Sequence, residues 1–412
     1  MAIATATTTF LTLFSVVIIV VAILLITSIQ LETSYASTQT INEDDNVAVT
    51  VASDKFQDTN TEKHNSDTYK LAGLFPMSGS LAQAGVQREA AFVMSINDAN
   101  ERFSFNLTYE TADTAGDPKV GVAAALKTTD DDGVVGIVGA ARSSTSIEVA
   151  SQISNVHEIA QISYSSTSPL LSDTEQFPYF ARVVPSDAKQ GQVISDFMEF
   201  VGWSQVAIIA GDAPYSHGIL NAFLAVHNKK VTVLGVEDQI PENIRIIILA
   251  TSSDDSQKVF DKIGSNNYVW ILTDATAQNY IVEDLDQSFV VGVRPDIGDG
   301  YHHQQFVKKW VQCYENKLHD GCTTNHPNVF AFYTYDAVQV YANAIDSLLK
   351  QKKPISADNM IAEVKKMRLL GVTGAIHFDD NADRIGAYEI LFKKGSTLQS
   401  VGAWNDSGII IK

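Results

Sequence analysis

The feature that most restricts the fold is an alternation. From residue 69 to residue 293, short runs of apolar and β-branched residues take turns with segments whose apolar positions recur at helical spacing. A first strand in "YKLAGLF" breaks at Pro76 and Gly79, and the helical "LAQAGVQREAAFVMSINDAN" follows it. Further strands are predicted at 105–111, 134–138, 159–163, 205–211, 231–236, 245–251, 269–273 and 289–293. Helices predicted at 119–128, 145–155, 186–201, 218–225 and 255–263 separate most of them. Alternation at this spacing predicts βαβ units and parallel sheets. The strands are too many for one ordinary sheet, and 412 residues suit two domains better than one. The predicted fold class is α/β, with two doubly wound lobes.

In open α/β sheets, ligands bind beyond the carboxyl ends of the strands, where loops and helix N-termini converge. That rule selects the loops to inspect. "GAARSSTSIEVAS" ends a strand at Gly139 and places Ser143, Ser144 and Thr145 just before a helical run, with Arg142 beside them. Free N–H groups and hydroxyls there make a neutral cradle for one carboxylate, although an ordinary helix cap needs only one of them. "YSSTS" occupies the same position after the next strand, so Ser165 and Thr167 can meet the ammonium or carboxylate of a ligand; a simple Ser-rich turn is the alternative, weakened because two neighbouring strands end in hydroxyl-rich loops. Asp187, in "RVVPSDAKQ", lies on a predicted crossover stiffened by Pro185 and is either a cation partner or a helix-start acid. In the second half, Tyr215 in "GDAPYSHG" and Asp274 in "LTDAT" follow strands and face the first set if the lobes oppose each other.

A net charge of -19 without a Lys/Arg cluster argues against a nucleic-acid partner. Residues 10–29, "FLTLFSVVIIVVAILLITSI", carry no charge and are long enough to cross a bilayer as a helix. They form a membrane anchor or a long signal sequence, with "SYA" at 34–36 as a candidate cleavage site. Residues 38–68 read as a polar tether. On either reading the remainder lies outside the membrane, where Cys313 and Cys322 in "QCYENKLHDGC" most simply pair; a metal site would want more ligands than two thiols and His319. No metal or cofactor is expected. Histidines 157, 302 and 303 invite a catalytic reading, yet no HExxH, GxSxG, P-loop or full GxGxxG pattern occurs, and "YHHQQ" reads as a helix start. Asn106-Leu107-Thr108 and Asn405-Asp406-Ser407 are glycosylation sequons.

With these residues in hand, the chain resembles the type I periplasmic binding protein (Venus-flytrap) superfamily. "FPMSGSLAQAG" is similar to the first-strand loop of branched-chain amino-acid binding proteins of ABC transporters. "QISYSSTSPLLSD" with "YFARVVPSDAKQG" resembles the ligand-binding region of metabotropic glutamate receptors, and "GVTGAIHFDDNADRIGAYEI" the closing hairpin. The resemblance implies that Ser143 and Ser144 hold an α-carboxylate, that Ser165 and Thr167 bind carboxylate and ammonium, and that Asp187, Tyr215 and Asp274 complete an amino-acid site. Ala84 departs from the pattern, where many amino-acid binders have a bulky aromatic. So does Arg142, where a small residue is usual; it admits an acidic ligand side chain, points to solvent or pairs with Glu148.

The resemblance also implies three crossovers, placed near 185–190, 291–295 and 371–374. The expected order is an anchor or signal at 1–36, a linker at 37–68, lobe I at 69–187 and 294–370, and lobe II at 188–293 and 371–412. Three functions compete. An extracytoplasmic solute-binding protein would deliver an amino acid or similar small polar ligand to an ABC permease, a reading favoured by the single N-terminal apolar segment. A sensing module would present its closed state to a membrane receptor. An α/β enzyme is the third, opposed by the missing motifs.

Overall fold

The computed structural model describes residues 67–130, 133–263, 268–277, 285, 289–405 and 407–412. The N-terminal anchor or signal and nearly all of the tether fall outside the described residues, as does Asp406 of the second sequon.

The first lobe is built on a five-stranded parallel sheet of order β2-β1-β3-β4-β5: β1 (Thr68–Phe75), β2 (Asn106–Asp113), β3 (Val134–Val138), β4 (Ala160–Ser163) and β5 (Phe180–Arg182). Successive residues of β1 serve different cores. Leu71 and Phe75 pack with Phe92 and Ile96 of helix α1 (Ala82–Arg102), whereas Ala72 and Leu74 pack with Ala125 of α2 (Pro118–Thr129) and Val149 of α3 (Ser143–Val149). A strand buried on both faces must be apolar throughout, which explains the continuous run in the sequence. Helix α3 continues through a π-turn, Ala150–Ser154, to a last turn at Asn155–His157.

The second lobe carries an eight-stranded sheet. Its parallel part runs through β6 (Val206–Ala210), β7 (Val231–Leu234), β8 (Ile246–Ala250), β9 (Val269–Leu272) and β10 (Phe289–Pro295) in the order β10-β9-β8-β6-β7. Helices α4 (Asp187–Phe200) and α5 (Pro214–Val226) cover one face, burying Ile194, Phe197, Ile219 and Phe223 against Ile208, Ile248 and Ile271. Helix α6 (Ser253–Ile263) covers the other with Val259 and Phe260.

The chain then returns to the first lobe as α7 (Tyr301–Asn316), α8 (Val329–Lys350) and α9 (Ala357–Lys366). A disulfide joins Cys313 to Cys322. The hairpin β11 (Arg368–Gly371) and β12 (Gly374–His377) also belongs here, because Ile376, Phe378 and Ala382 lie in the first lobe's core. Only at β13 (Tyr388–Lys394) does the chain rejoin the second sheet, pairing antiparallel with β10 and leading into β14 (Thr397–Asn405) and β15 (Gly408–Ile411).

The third crossover is thus at 384–387, later than the expected 371–374. Arg384 holds it to the first lobe, donating to Val183 O (3.0 Å) and to the carbonyls of Thr373 (2.8 Å) and Ala375 (2.9 Å). The crossovers touch one another: Asp296 N donates to Ala387 O (3.0 Å), and Gly386 lies against Pro185. Strand β5 had no sequence signal, since three residues are too short for a periodicity.

Candidate functional site

Both parallel sheets direct their carboxyl ends at the space between the lobes, and a cavity of about 130 Å³ lies there. Its wall includes Arg142, Ser143, Ser144 and Ser165 from the first lobe and Tyr215, Ser252, Ser253 and Asp274 from the second. Six of the residues singled out from the sequence therefore converge on one space, although Tyr215 and Asp274 follow different strands from the others. Thr167 and Asp187 are not on its wall; both are buried.

The first-lobe side is formed by the turns after β3 and β4. Gly139 leaves β3 at φ +141, where a Cβ would stand 2.7 Å from Leu74 O, so the chain passes β1 at a distance only glycine allows. Helix α3 then starts with Arg142 at its N-cap but no side-chain cap, which leaves its first turn open beside the cavity.

The structure divides the hydroxyls of "YSSTS" and its neighbours by task. Ser163 Oγ donates to Ala140 O (2.8 Å) and accepts from Ser166 N (2.9 Å), while Ser166 Oγ bonds Ser146 Oγ (2.8 Å), so these hydroxyls fasten the two turns to each other. Ser143, Ser144 and Ser165 line the cavity wall, although Ser165 Oγ also donates to Ala141 O (2.8 Å) and Ser143 Oγ accepts from Ser168 N (3.2 Å). The Thr167 carbonyl accepts from Asp187 N (2.9 Å). Arg182 completes the frame, donating to Ser166 O (3.2 Å) and Ser168 O (2.9 Å) and pairing with Asp383 (2.5 Å).

Asp187 is the first residue of α4, with Ser186 as its N-cap, so the helix-start description also fits its position. It is wholly buried, and neither carboxylate oxygen has a well-formed hydrogen bond among the described residues. Burial pushes its pKa well above the ordinary carboxylate range, and the charge of Asp274 pushes it further; the Thr167 hydroxyl and Arg182 pull weakly the other way. Asp274 is raised chiefly by burial, opposed by hydrogen bonds from Tyr215, Gln190 and the backbone. The Tyr215 hydroxyl donates to Asp274 Oδ1 (2.6 Å) and accepts from Ala275 N (3.2 Å). Two buried acids, the charge of Asp274 raising the pKa of Asp187, form a place that favours a cation.

Two residues behave differently from expectation or were missed. Arg142 pairs neither with Glu148 nor with solvent alone: its Nη2 is 2.8 Å from Asp254 Oδ2 and 3.1 Å from Ser80 Oγ, while Glu148 takes a hydrogen bond from Gln152. Arg88 was not foreseen. It is 5% exposed, lines the cavity, and stacks over the rings of Phe330 (5.2 Å) and Tyr164 (5.6 Å). Its signal was available, because Arg88 continues the stripe that Phe92, Ser95 and Ala99 bury along α1, and a charge inside such a stripe calls for a partner.

Comparison with known proteins adds the family. The model of the receptor family ligand binding region matches residues 87–396, most of the chain. The chain belongs to that family. As a receptor family ligand binding region it is 26% identical over 412 residues to Glutamate receptor 3.1 of Oryza sativa subsp. japonica, covering 84% of this chain and 42% of that protein. Glutamate receptor 3.4 of Arabidopsis thaliana is 27% identical over 391 residues, 81% of this chain and 39% of the relative. Metabotropic glutamate receptor 8 of Rattus norvegicus is 25% identical over 354 residues, or 68% and 39%. This ligand binding region spans about two fifths of the length of these curated relatives. Their names are those of receptors, not of enzymes, and the two-lobed α/β fold agrees with the family.

Proposed function

We propose that this ligand binding region captures one α-amino acid outside the cytoplasm and that closure of its lobes around that solute is read by a membrane receptor. The observation that carries the reading is the Asp187–Asp274 pair: two buried acids, of which Asp274 lines the small cavity and Asp187, off its wall, has no well-formed hydrogen bond among the described residues. A ligand ammonium supplies the missing positive charge. Ser143 and Ser144 offer hydroxyls to the α-carboxylate at the other wall, where Ser165 Oγ donates to Ala141 O, and Arg88 makes the remaining wall positive, which favours an acidic or amide side chain. The volume exceeds what one water needs, roughly 10–15 Å³, by a margin suited to one small polar molecule. The Cys313–Cys322 disulfide supports an oxidising compartment. Sensing takes precedence over delivery to an ABC permease because the relatives named above carry receptor names.

The test is the thermal midpoint of the purified protein with L-glutamate, L-glutamine, L-leucine and glutarate. Mass action predicts stabilisation of about 2.7 kcal/mol at a hundredfold excess over Kd for a true ligand. L-Glutamate or L-glutamine should raise the midpoint and glutarate, which lacks the ammonium, should not. An equal rise with glutarate would refute the amino-acid reading.

A further inference from the structure

The contact between Arg142 and Asp254 joins the lobes at the mouth of the cavity, and it is assembled from separate loops. Ser80 belongs to the turn after β1, Arg142 is the N-cap of α3, and Asp254 lies in the first turn of α6 in the opposite lobe. The three groups close a triangle: Arg142 Nη2 to Asp254 Oδ2 at 2.8 Å, Arg142 Nη2 to Ser80 Oγ at 3.1 Å, and Ser80 Oγ to Asp254 Oδ2 at 3.0 Å. A fourth loop makes room for it. Gly116, at φ +67 in the turn between β2 and α2, lies under the arginine, and a Cβ there would come 3.0 Å from Arg142 Nε. Asp254 lies in the first turn of α6, at the helix end whose dipole attracts negative charge. The side chains keep 27% and 41% of their exposure, so the pair is within reach of salt.

We propose that Arg142, Asp254 and Ser80 form an electrostatic clasp that sets how far the cleft rests toward its closed arrangement before any solute enters. A contact that exists only when the lobes meet lowers the free energy of the closed arrangement alone. It therefore raises the closed fraction and, through it, the apparent affinity for whatever the cavity holds. The clasp stands whether or not that solute is an amino acid.

The experiment measures lobe separation in the full chain without ligand, by spin labels on Val156→Cys in the first lobe and Ile410→Cys in the second, both exposed positions. At low salt the parent should show a short-distance population. Arg142→Ala and Asp254→Ala should each lower the closed-to-open ratio about two- to five-fold, the range for a partly exposed ion pair. The double variant should open no further than either single one. The charge-swapped protein, Arg142→Asp with Asp254→Arg, should regain part of the short population, and 1 M salt should bring parent and single variants together. The proposal is overturned if the parent has no short-distance population, if the single variants leave the distribution unchanged, or if their effects simply add. Because no solute is present, none of these outcomes depends on the identity of the ligand.

Discussion

Replacing Asp187 by Asn should make the ligand-free protein more stable and the binding site useless. Asp187 is wholly buried with no well-formed hydrogen bond to its carboxylate among the described residues, beside a second buried acid. Its folded pKa lies above the unfolded value of about 3.9, so the folded chain holds the proton more tightly than the unfolded one. The associated stability is fully present below about pH 4 and is lost as pH rises through the folded pKa, at about 1.4 kcal/mol per unit of elevation. By pH 8 the parent has lost stability that it holds at pH 4, at a cost of about 1–3 kcal/mol for a buried polar group without a full partner. Asparagine keeps the shape and removes the charge. At roughly 2 °C per kcal/mol for a protein of this size, Asp187→Asn should melt about 2–6 °C higher at pH 8, with the gap shrinking toward pH 4. Calorimetry of the two proteins at both pH values measures this directly. The same variant should lose amino-acid affinity by tens-fold or more, since the ammonium no longer meets a buried charge. In the parent, an incoming ammonium displaces the proton held by the acidic pair, so affinity should rise with pH over the range in which that proton is held. A variant that melts lower than the parent at pH 8, or a gap of equal size at both pH values, would refute the reasoning.

Two further predictions concern the frame of the site. Ser166→Ala removes a hydroxyl that ties the two first-lobe turns together and should cost about 1–2 kcal/mol in urea unfolding, whereas Ser165→Ala should cost less stability and weaken solute binding more. Reducing the Cys313–Cys322 disulfide, which closes a loop of sequence separation 9, should cost about 2–3 kcal/mol and lower the thermal midpoint by about 4–6 °C.

Much of the second lobe and most of the site wall were legible because they rest on local rules. Apolar runs of strand length predicted 134–138, which is β3 to the residue, and shifted the others by a residue or two, where helix and strand ends depend on neighbours. The rule that ligands gather at strand carboxyl ends led to Ser143, Ser144, Ser165, Tyr215 and Asp274 without knowledge of how the lobes meet. The hydroxyl count of "YSSTS" was legible as well, but its division into wall and fastening was not. Ser163 and Ser166 are spent on Ala140 and Ser146, and that depends on the close approach of two turns.

By itself, then, the sequence determined the alternation, the parallel sheets, the pairing of the two nearby cysteines and the residue types at the strand ends, because each follows from neighbours within a few positions. Tertiary structure decided the rest. Arg142 found Asp254, 112 residues away, only because the lobes close on each other. Arg182 found Asp383 at a separation of 201, and the third crossover lies at 384–387 because Ile376, Phe378 and Ala382 are buried in the first lobe's core. Asp187 became a buried acid beside Asp274 only when α4 and the turn after β9 were brought together. Charge partners and solvent exposure are properties of the assembled surfaces, and no periodicity along the chain encodes which surfaces will meet.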